Sequence, residues 1–474
     1  MEAANTYPLT QIETNNLSQI RKIVLMLAWP AIMEMFLATL VQFVDTAMVG
    51  SLGAVAIAAV GITNSPMWLL MGVFAALGVG STVLVARFVG AGNNEGADKV
   101  AQQSFLMGTS LALLITVLGL LYAEQIPLLM GAAADVVPVA GLYLRVVSVT
   151  FILTFSSFTL SGVLRGAGDT KTPMKVNALA NILNVVANFL LIFPSRTVSI
   201  VLPSGITLLE TTIPGAGLGV LGAAIATAAS RGVAGIIILY ILFSGRQRVK
   251  LSLHNWSFDW EIIRRIIKVG LPASCERLII SSGFMLFSVI VLRLGTVQYA
   301  AHHLAIVAES ISYMPGFGFS MAATTLVGQG LGAGKPQLAE IYGYMTWKMG
   351  MMVMGAMGIL FFLFAPYFIA FFTSDPEIIA YGAMALRLVA FAQIPFATVM
   401  VLTGALRGAG DTVWPLIIGA IGMWGVRLVL AWVMVTYLNM GLFGVWLAMV
   451  IDFWVRGIIT VIRYRSSHWQ TIKV

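Results

Sequence analysis

The chain has 474 residues, 59% hydrophobic and only 10% charged, with a mean hydropathy of +0.94. Soluble domains carry about a quarter charged residues, so this composition excludes one and points to a polytopic membrane protein. The net charge of +8 lies in loops between apolar runs, which argues against nucleic acid as a partner, and the single cysteine, Cys275, excludes an intramolecular disulfide or a multi-cysteine metal site.

Residues 1–22 read as a polar segment without the basic-then-apolar pattern of a signal peptide. Apolar runs long enough to cross a bilayer follow near 23–50, 54–80, 100–122, 136–162, 172–194 and 215–243, and again near 266–292, 298–322, 341–365, 378–404, 414–438 and 441–463. The expected fold is an all-α polytopic membrane protein of twelve transmembrane helices in two six-helix lobes. The lobes are expected at 23–243 and 263–464, joined by a basic linker at 244–262 and followed by a tail at 465–474. Lys and Arg crowd the alternate loops around Arg21, Arg87, Arg165, Arg246, Arg265, Lys335, Arg407 and Arg463, while the opposite loops hold only Arg196 and Arg293. The positive-inside rule then places both termini in the cytoplasm of a plasma-membrane protein.

The first span carries Glu34, Gln42 and Asp45. An acid at bilayer depth costs about 2.5–3.5 kcal/mol, and eleven residues at about 100° each return Glu34 and Asp45 to nearly one helix face. The chain then repeats itself. Ser161-Gly-Val-Leu-Arg-Gly-Ala-Gly-Asp-Thr170 returns as Thr403-Gly-Ala-Leu-Arg-Gly-Ala-Gly-Asp-Thr412, an offset of 242. The same offset carries Pro30 onto Pro272, Glu34 onto Glu276, Gly90 onto Gly332 and Arg145 onto Arg387. Near the end of each half the register becomes 222 (Gly219 onto Gly441), so the first half holds extra residues near 195–214, expected in an external loop. A constant offset over this length marks an internal duplication. Six spans per copy give both copies one orientation, related by a pseudo-two-fold along the membrane normal.

With Phe43-Val-Asp45-Thr-Ala-Met-Val-Gly50, the paired Leu-Arg-Gly-Ala-Gly-Asp-Thr loops, Leu183-Asn-Val-Val-Ala-Asn188 and Leu326-Val-Gly-Gln-Gly-Leu-Gly-Ala-Gly334, the chain resembles the multidrug and toxic compound extrusion (MATE) family over nearly its whole length. The resemblance implies two lobes in a V and export of amphipathic, often cationic, drug-like molecules in exchange for H⁺ or Na⁺. It also implies no cofactor beyond that ion and no enzymatic activity. A functional monomer in the lipid bilayer is expected.

Repetition separates scaffold from site. Features kept in both copies, including Glu34 with Glu276 and the Gly-Ala-Gly-Asp-Thr loops, read as gate or scaffold. Asp45 is unrepeated, with Phe287 at its mate. Asn177, Asn181, Asn184 and Asn188 form one face of the fifth span, and their mates are Gly419, Met423, Val426 and Leu430. By helix rise, Asp45 and Asn188 lie at one depth, with Asn184 a turn deeper and Thr227 of the sixth span near the midplane. A carboxylate, amides and a hydroxyl suit a hard cation, and a desolvated carboxylate suits a proton.

The family's first-lobe cation site falls, by resemblance, on Asp45, Asn184, Asn188 and Thr227; some members have Asp at the position of Asn188. The plainer alternative is that the asparagines knit helices together. Glu34, Gln42, Asn181, Glu276, Glu309 and Tyr313 are candidates for substrate contact or secondary coupling. Glu309 meets either a cationic substrate or a base such as Arg277, Lys348 or Arg427. Sodium-coupled members place an acid in the tenth span, whereas 378–404 has none here. Asp452 and Arg456 are expected to pair as i, i+4, and His302 and His303 to be exposed at an external helix start. No P-loop, His-Glu-x-x-His or Gly-x-Ser-x-Gly motif is present. A flippase for a lipid-linked precursor, an ion channel and an intramembrane enzyme are the rival readings.

Overall fold

The computed structural model describes residues 16–201, 207–252 and 256–474. The reading of residues 1–15, and part of the linker at 253–255, lie outside the described residues. The first half folds as α1 (Leu17–Gly50), α2 (Ala54–Gly90), α3 (Asn94–Leu121), the short α4 (Gln125–Leu129), α5 (Val136–Ser148), α6 (Phe151–Gly166), α7 (Lys171–Ile192), the strands β1 (Pro194–Val201) and β2 (Thr207–Ala216), and α8 (Val220–Phe243). The second half folds as α9 (Trp260–Leu292), α10 (Thr296–Gly332), α11 (Pro336–Ala370), α12 (Pro376–Ala390), α13 (Gln393–Gly408), α14 (Val413–Ala420), a π-helical turn at Ile421–Arg427, α15 (Leu428–Thr436) and α16 (Gly441–Arg465).

These elements make twelve spans in two six-span lobes. Among the described residues, nine stretches of continuous helix are long and apolar enough to cross a bilayer, and two bent pairs, α5 with α6 and α12 with α13, serve as one span each. The remaining span is α10, a 37-residue helix. Its apolar character is diluted by His302, Glu309, serines and glycines that it buries against its neighbours. Both bent pairs turn by 57° at positions 242 residues apart. In the first, Thr150 Oγ1 bonds the Val147 carbonyl at 3.1 Å, and in the second, Pro395 removes a backbone donor.

The duplication is visible in the contacts. Thr82 Oγ1 donates to the Gly78 and Gly162 carbonyls (2.7 and 2.8 Å), and its mate Thr324 donates to the Ser320 and Gly404 carbonyls (2.9 and 2.8 Å). Gly53 and Gly295, at φ +103° and +99°, make the matching tight turns between the first two helices of each lobe, a backbone region that disfavours a side chain.

The lobes meet through α1 and α2 against α9 and α10. Gly90 lies against the Gln329 carbonyl, and Gly332, its mate, lies against the carbonyl of Arg87, the mate of Gln329. Such reciprocity is the signature of a two-fold interface. Gly270 against Ala76 and Gly318 against Ala28 form a second reciprocal pair. All these approaches lie in the halves of the helices near Gly90 and Gly332, here called the junction end. Side chains that hydrogen-bond across the lobes between mid-depth and that end include Arg87 to Ala409 O (2.9 Å) and Ile472 O (3.2 Å), Gln329 to Gly166 O (2.9 Å), Thr325 to Arg165 O (2.9 Å) and Ser274 to Gly72 O (3.0 Å). The lobes therefore close on each other at the junction end and leave the halves near Asp45 apart.

Each lobe has its own apolar core toward the far end: Phe74, Phe151 and Phe155 anchor the first, and Phe361, Trp446 and Phe453 the second. Small residues of α8 (Gly222, Ala223, Ala226, Gly235) bring backbones close where lipid supplies no hydrophobic drive.

One expectation, the exposure of His302, is corrected, and two features are added. In the connection between α7 and α8, residues 194–201 and 207–216 form an antiparallel hairpin pairing Thr197 with Thr212 and Ser199 with Glu210, with β-branched residues frequent in both arms. His302 is buried (2% exposed), not exposed, because Phe287 and Trp446 enclose its ring at centroid distances of 5.8 and 5.7 Å; His303 remains exposed. The eleventh span is not one regular α-helix, since Ile421–Arg427 widens into a π-turn.

Candidate functional site

The first-lobe candidates converge. Asp45, half-buried on α1, accepts a hydrogen bond from Asn188 Nδ2 at 2.7 Å, and Asn188 Nδ2 also reaches Asn184 Oδ1 at 3.2 Å. The surroundings of Asn184 favour the opposite amide orientation, in which its Nδ2 donates to both Asp45 oxygens at 2.8 and 3.0 Å. Asn184 and Asn188 are 6% and 1% exposed, and Asn188 Oδ1 has no partner. Both asparagines are on α7 four residues apart, so helix geometry alone stacks them on one face toward α1.

Thr227 of α8 makes no hydrogen bond to Asp45, Asn184 or Asn188, and its neighbour in this region is Tyr143 of α5. Asp45 acts electrostatically on Tyr143 as well. Arg231, one turn beyond Thr227 and exposed, is the cation that acts on Asp45. Sequence reasoning missed Tyr143 and Arg231. An arginine at mid-span is a detectable signal, because its cost at that depth demands a partner or a wet cavity.

The asparagine stripe divides. Asn177 turns to the other acid of α1: its Nδ2 lies 2.7 Å from Glu34 Oε1, which Arg165 Nη2 also meets at 2.6 Å. Glu276 repeats the arrangement with Arg407 Nη2 at 2.7 and 2.8 Å from its two oxygens. The place of Asn177 is taken there by Gly419, where a Cβ would stand 3.4 Å from Glu276 Cγ. Glu34 and Glu276, each 6% exposed, are thus the centres of matched ion pairs, apart from the Asp45 cluster. Asn181 is buried between the two groups on α7, and Gln42 is exposed one turn before Asp45.

In the second lobe, Glu309 is 6% exposed and makes no hydrogen bond or ion pair with any described residue; Arg427 is the opposite charge acting on it. Lys348 is exposed and does not reach it, and Arg277 acts on Tyr313 rather than on Glu309. Arg456 pairs with Asp452 as expected, and Arg427 adds a second partner, its Nε and Nη2 both 2.8 Å from Asp452 Oδ2. Among the described residues no three His, Cys, Asp or Glu side chains gather as a metal group.

The MatE family model matches residues 30–190 and 272–433, which start 242 residues apart as the repeat does. The chain belongs to the MatE family. Among its MatE relatives, a probable multidrug resistance protein NorM of Thermotoga maritima is 33% identical, with 95% of this chain and 94% of that one covered. An uncharacterized transporter YisQ of Bacillus subtilis is 27% identical with 94% of each covered. Two solved structures, each 27% identical and covering 96% of this chain and 98% of theirs, superpose closely. One is an outward-facing multidrug resistance MATE family transporter of the MOP superfamily (TM-score 0.84). The other is a MOP superfamily transporter from Pyrococcus furiosus, described as having a binding pocket of reverse polarity (TM-score 0.83). This chain is accordingly a MATE multidrug efflux transporter.

Proposed function

We propose that this MATE protein is a secondary antiporter exporting amphipathic, cationic small molecules in exchange for H⁺ (or Na⁺), with Asp45 as the residue that takes the ion. The observation that carries this reading is the Asp45–Asn184–Asn188 cluster: polar, unrepeated in the second lobe, and on the part of α1 where the lobes stand apart. Two amides that donate to Asp45 steady its ionised form while it waits empty, and they leave Asn188 Oδ1 free to face an incoming cation.

In the proposed cycle the junction end faces the cytoplasm and the described conformation is open to the outside. Loading of the ion at Asp45, with Asn184, Asn188 and Thr227 around it, releases drug. The lobes then rock about the glycine crossings and discharge the ion inside. Coupling needs only that ion and drug favour different states, since a ligand shifts an equilibrium by its differential affinity. One proton moving down about 100 mV and one pH unit supplies about 3.7 kcal/mol, enough for about a 500-fold gradient of a neutral drug. Glu34 and Glu276 lie at the middles of α1 and α9 rather than near their cytoplasmic ends, and, tied to arginines, they hold those helices to α6 and α13 as the lobes rock. Gln42, Asn181 and Tyr313 are proposed to meet substrate in the cleft, in a monomer embedded in the plasma membrane.

The exposed Arg231 beside Asp45 and the exposed Arg277 on α9 favour a second reading, a flippase whose basic cleft grips an anionic headgroup. Purified protein in proteoliposomes distinguishes the two. With ethidium inside, an antiporter extrudes it when a pH or a sodium gradient is imposed separately, and one of the two gradients suffices. A flippase ignores both and moves a fluorescent polyprenyl-phosphate between leaflets.

A further inference from the structure

The second lobe holds four ionisable side chains that the N-terminal site does not use. Asp452 and Arg427 are 0% exposed, Arg456 5% and Glu309 6%. Asp452 Oδ2 receives Arg427 and also Arg456, so one carboxylate serves two guanidinium groups. Arg427 Nη1, Arg456 Nε and Asp452 Oδ1 are left buried without hydrogen-bond partners. Glu309, across from Arg427 on α10, has no hydrogen bond either, yet the two act on each other electrostatically. With both acids ionised the quartet is neutral, and with a proton on Glu309 it carries one net positive charge.

Both charge states have a physical support. When Glu309 is ionised it balances the guanidinium that Asp452 cannot balance alone. When Glu309 is neutral the surplus cation rests on aromatic faces: Arg427 lies 4.8, 5.2 and 5.6 Å from the ring centres of Phe453, Phe284 and Phe287, and Arg456 lies 5.0 Å from that of Phe453. The backbone is shaped for this. The π-turn Ile421–Arg427 presents Arg427, and its Gly422 backs onto both Asp452 and Arg456, where any side chain would collide. Turns of this kind cluster at functional sites.

None of the four is repeated: Met67, Val185, Ser230 and Ala234 stand at the mates of Glu309, Arg427, Asp452 and Arg456. A structural ion pair inherited with the fold, such as Glu34–Arg165, is repeated. Arg427 from the π-turn acts on Glu309, which in turn acts on Tyr313 one turn along α10; Asp452 and Arg456 of α16 are linked to it through Arg427, and His302, buried two turns back on α10, feels the same Arg427; on α13 the Gln393 Oε1 accepts from Ser312 at 2.5 Å. Tyr313 is half-buried and is acted on by both Glu309 and the exposed Arg277 on α9.

We propose that Glu309, with Arg427 as its counter-ion, is a second proton-carrying site, loaded from the cleft, so that each lobe carries a proton of its own. This rests on the ion-coupled reading above. The proton arrives from water, converts the Glu309 carboxylate to the neutral acid, and leaves to water after the lobes have rocked.

The test is infrared difference spectroscopy of the full chain in lipid vesicles, stepped between acidic and alkaline pH and read at the C=O stretch of protonated carboxyl groups. Wild type shows two membrane-embedded components; Glu309→Gln removes one and Asp45→Asn removes the other. A spectrum unchanged by Glu309→Gln but reduced by Asp45→Asn overturns this proposal and leaves the first-lobe site standing, whereas the reverse pattern overturns the first-lobe site alone. Should Glu309→Gln fail to accumulate, Glu309→Asp keeps the acid and shifts the frequency of its own component only; an unmoved spectrum then overturns the proposal.

Discussion

Arg165 Nη2 sits 2.6 Å from Glu34 Oε1, and 242 residues later Arg407 Nη2 sits 2.7 Å from Glu276 Oε2. One ion pair, made twice, fixes the middle of α1 to the end of α6 and the middle of α9 to the end of α13. Removing one partner of a buried pair leaves an uncompensated charge, at about 3 kcal/mol. Glu34→Leu alone is expected to lower the melting temperature in detergent clearly, and the double variant with Arg165→Met to recover most of it. Glu276→Leu should cost less, because the Arg407 side chain is 26% exposed and water can take over.

The glycine crossings predict a reciprocal effect. Gly90→Val and Gly332→Val each push a side chain into the carbonyl facing it across the lobes. Both should loosen the closed junction to a similar degree. Cys275 is the only cysteine and lies next to Ser274, which bridges the lobes to Gly72. Its maleimide labelling rate is expected to rise several-fold in both variants, and not in the control Gly61→Ala, within α2, where a Cβ meets empty space.

Asn188 donates to Asp45 at 2.7 Å where a carboxylate would instead add a charge. Two acids at this spacing draw a free metal ion strongly, since one unit charge at about 4 Å contributes up to about 4 kcal/mol at an effective dielectric of 20. Asn188→Asp is expected to raise sodium affinity at least about tenfold, measured by ²²Na⁺ binding to the purified protein.

Arg231 opposes cations near Asp45. Replacing it with Met should lower KM for ethidium and leave the melting temperature nearly unchanged, because its exposed head loses little packing. Transport assays at low and high salt check the origin of the effect: an electrostatic gain shrinks as salt screens it.

The fold was legible because the duplication printed its spans, its loops and its offset directly in the chain. The pairing of Asp45 with Asn184 and Asn188 was legible for the same reason, as an unrepeated polar face. The partners of Glu34 and Glu276 were not, because Arg165 and Arg407 lie 131 residues away from them and read as loop charges. Arg231 was detectable as an arginine at mid-span, but which acid it acts on was not, and Tyr143 stayed hidden because only packing tells which way a lone tyrosine in an apolar run faces. The π-turn at Ile421–Arg427 has no periodicity signal; it follows from seating Arg427 and Arg456 on the same carboxylate. The hairpin lies where the first half departs from its repeat, so the second half offered no control for it.

The central claim is that Asp45 couples an ion to export, and efflux from proteoliposomes carrying Asp45→Asn tests it most directly. The variant is expected to insert, to retain ethidium binding, and to lose gradient-driven efflux altogether. Efflux at the wild-type rate that still follows the imposed ion gradient would contradict the account.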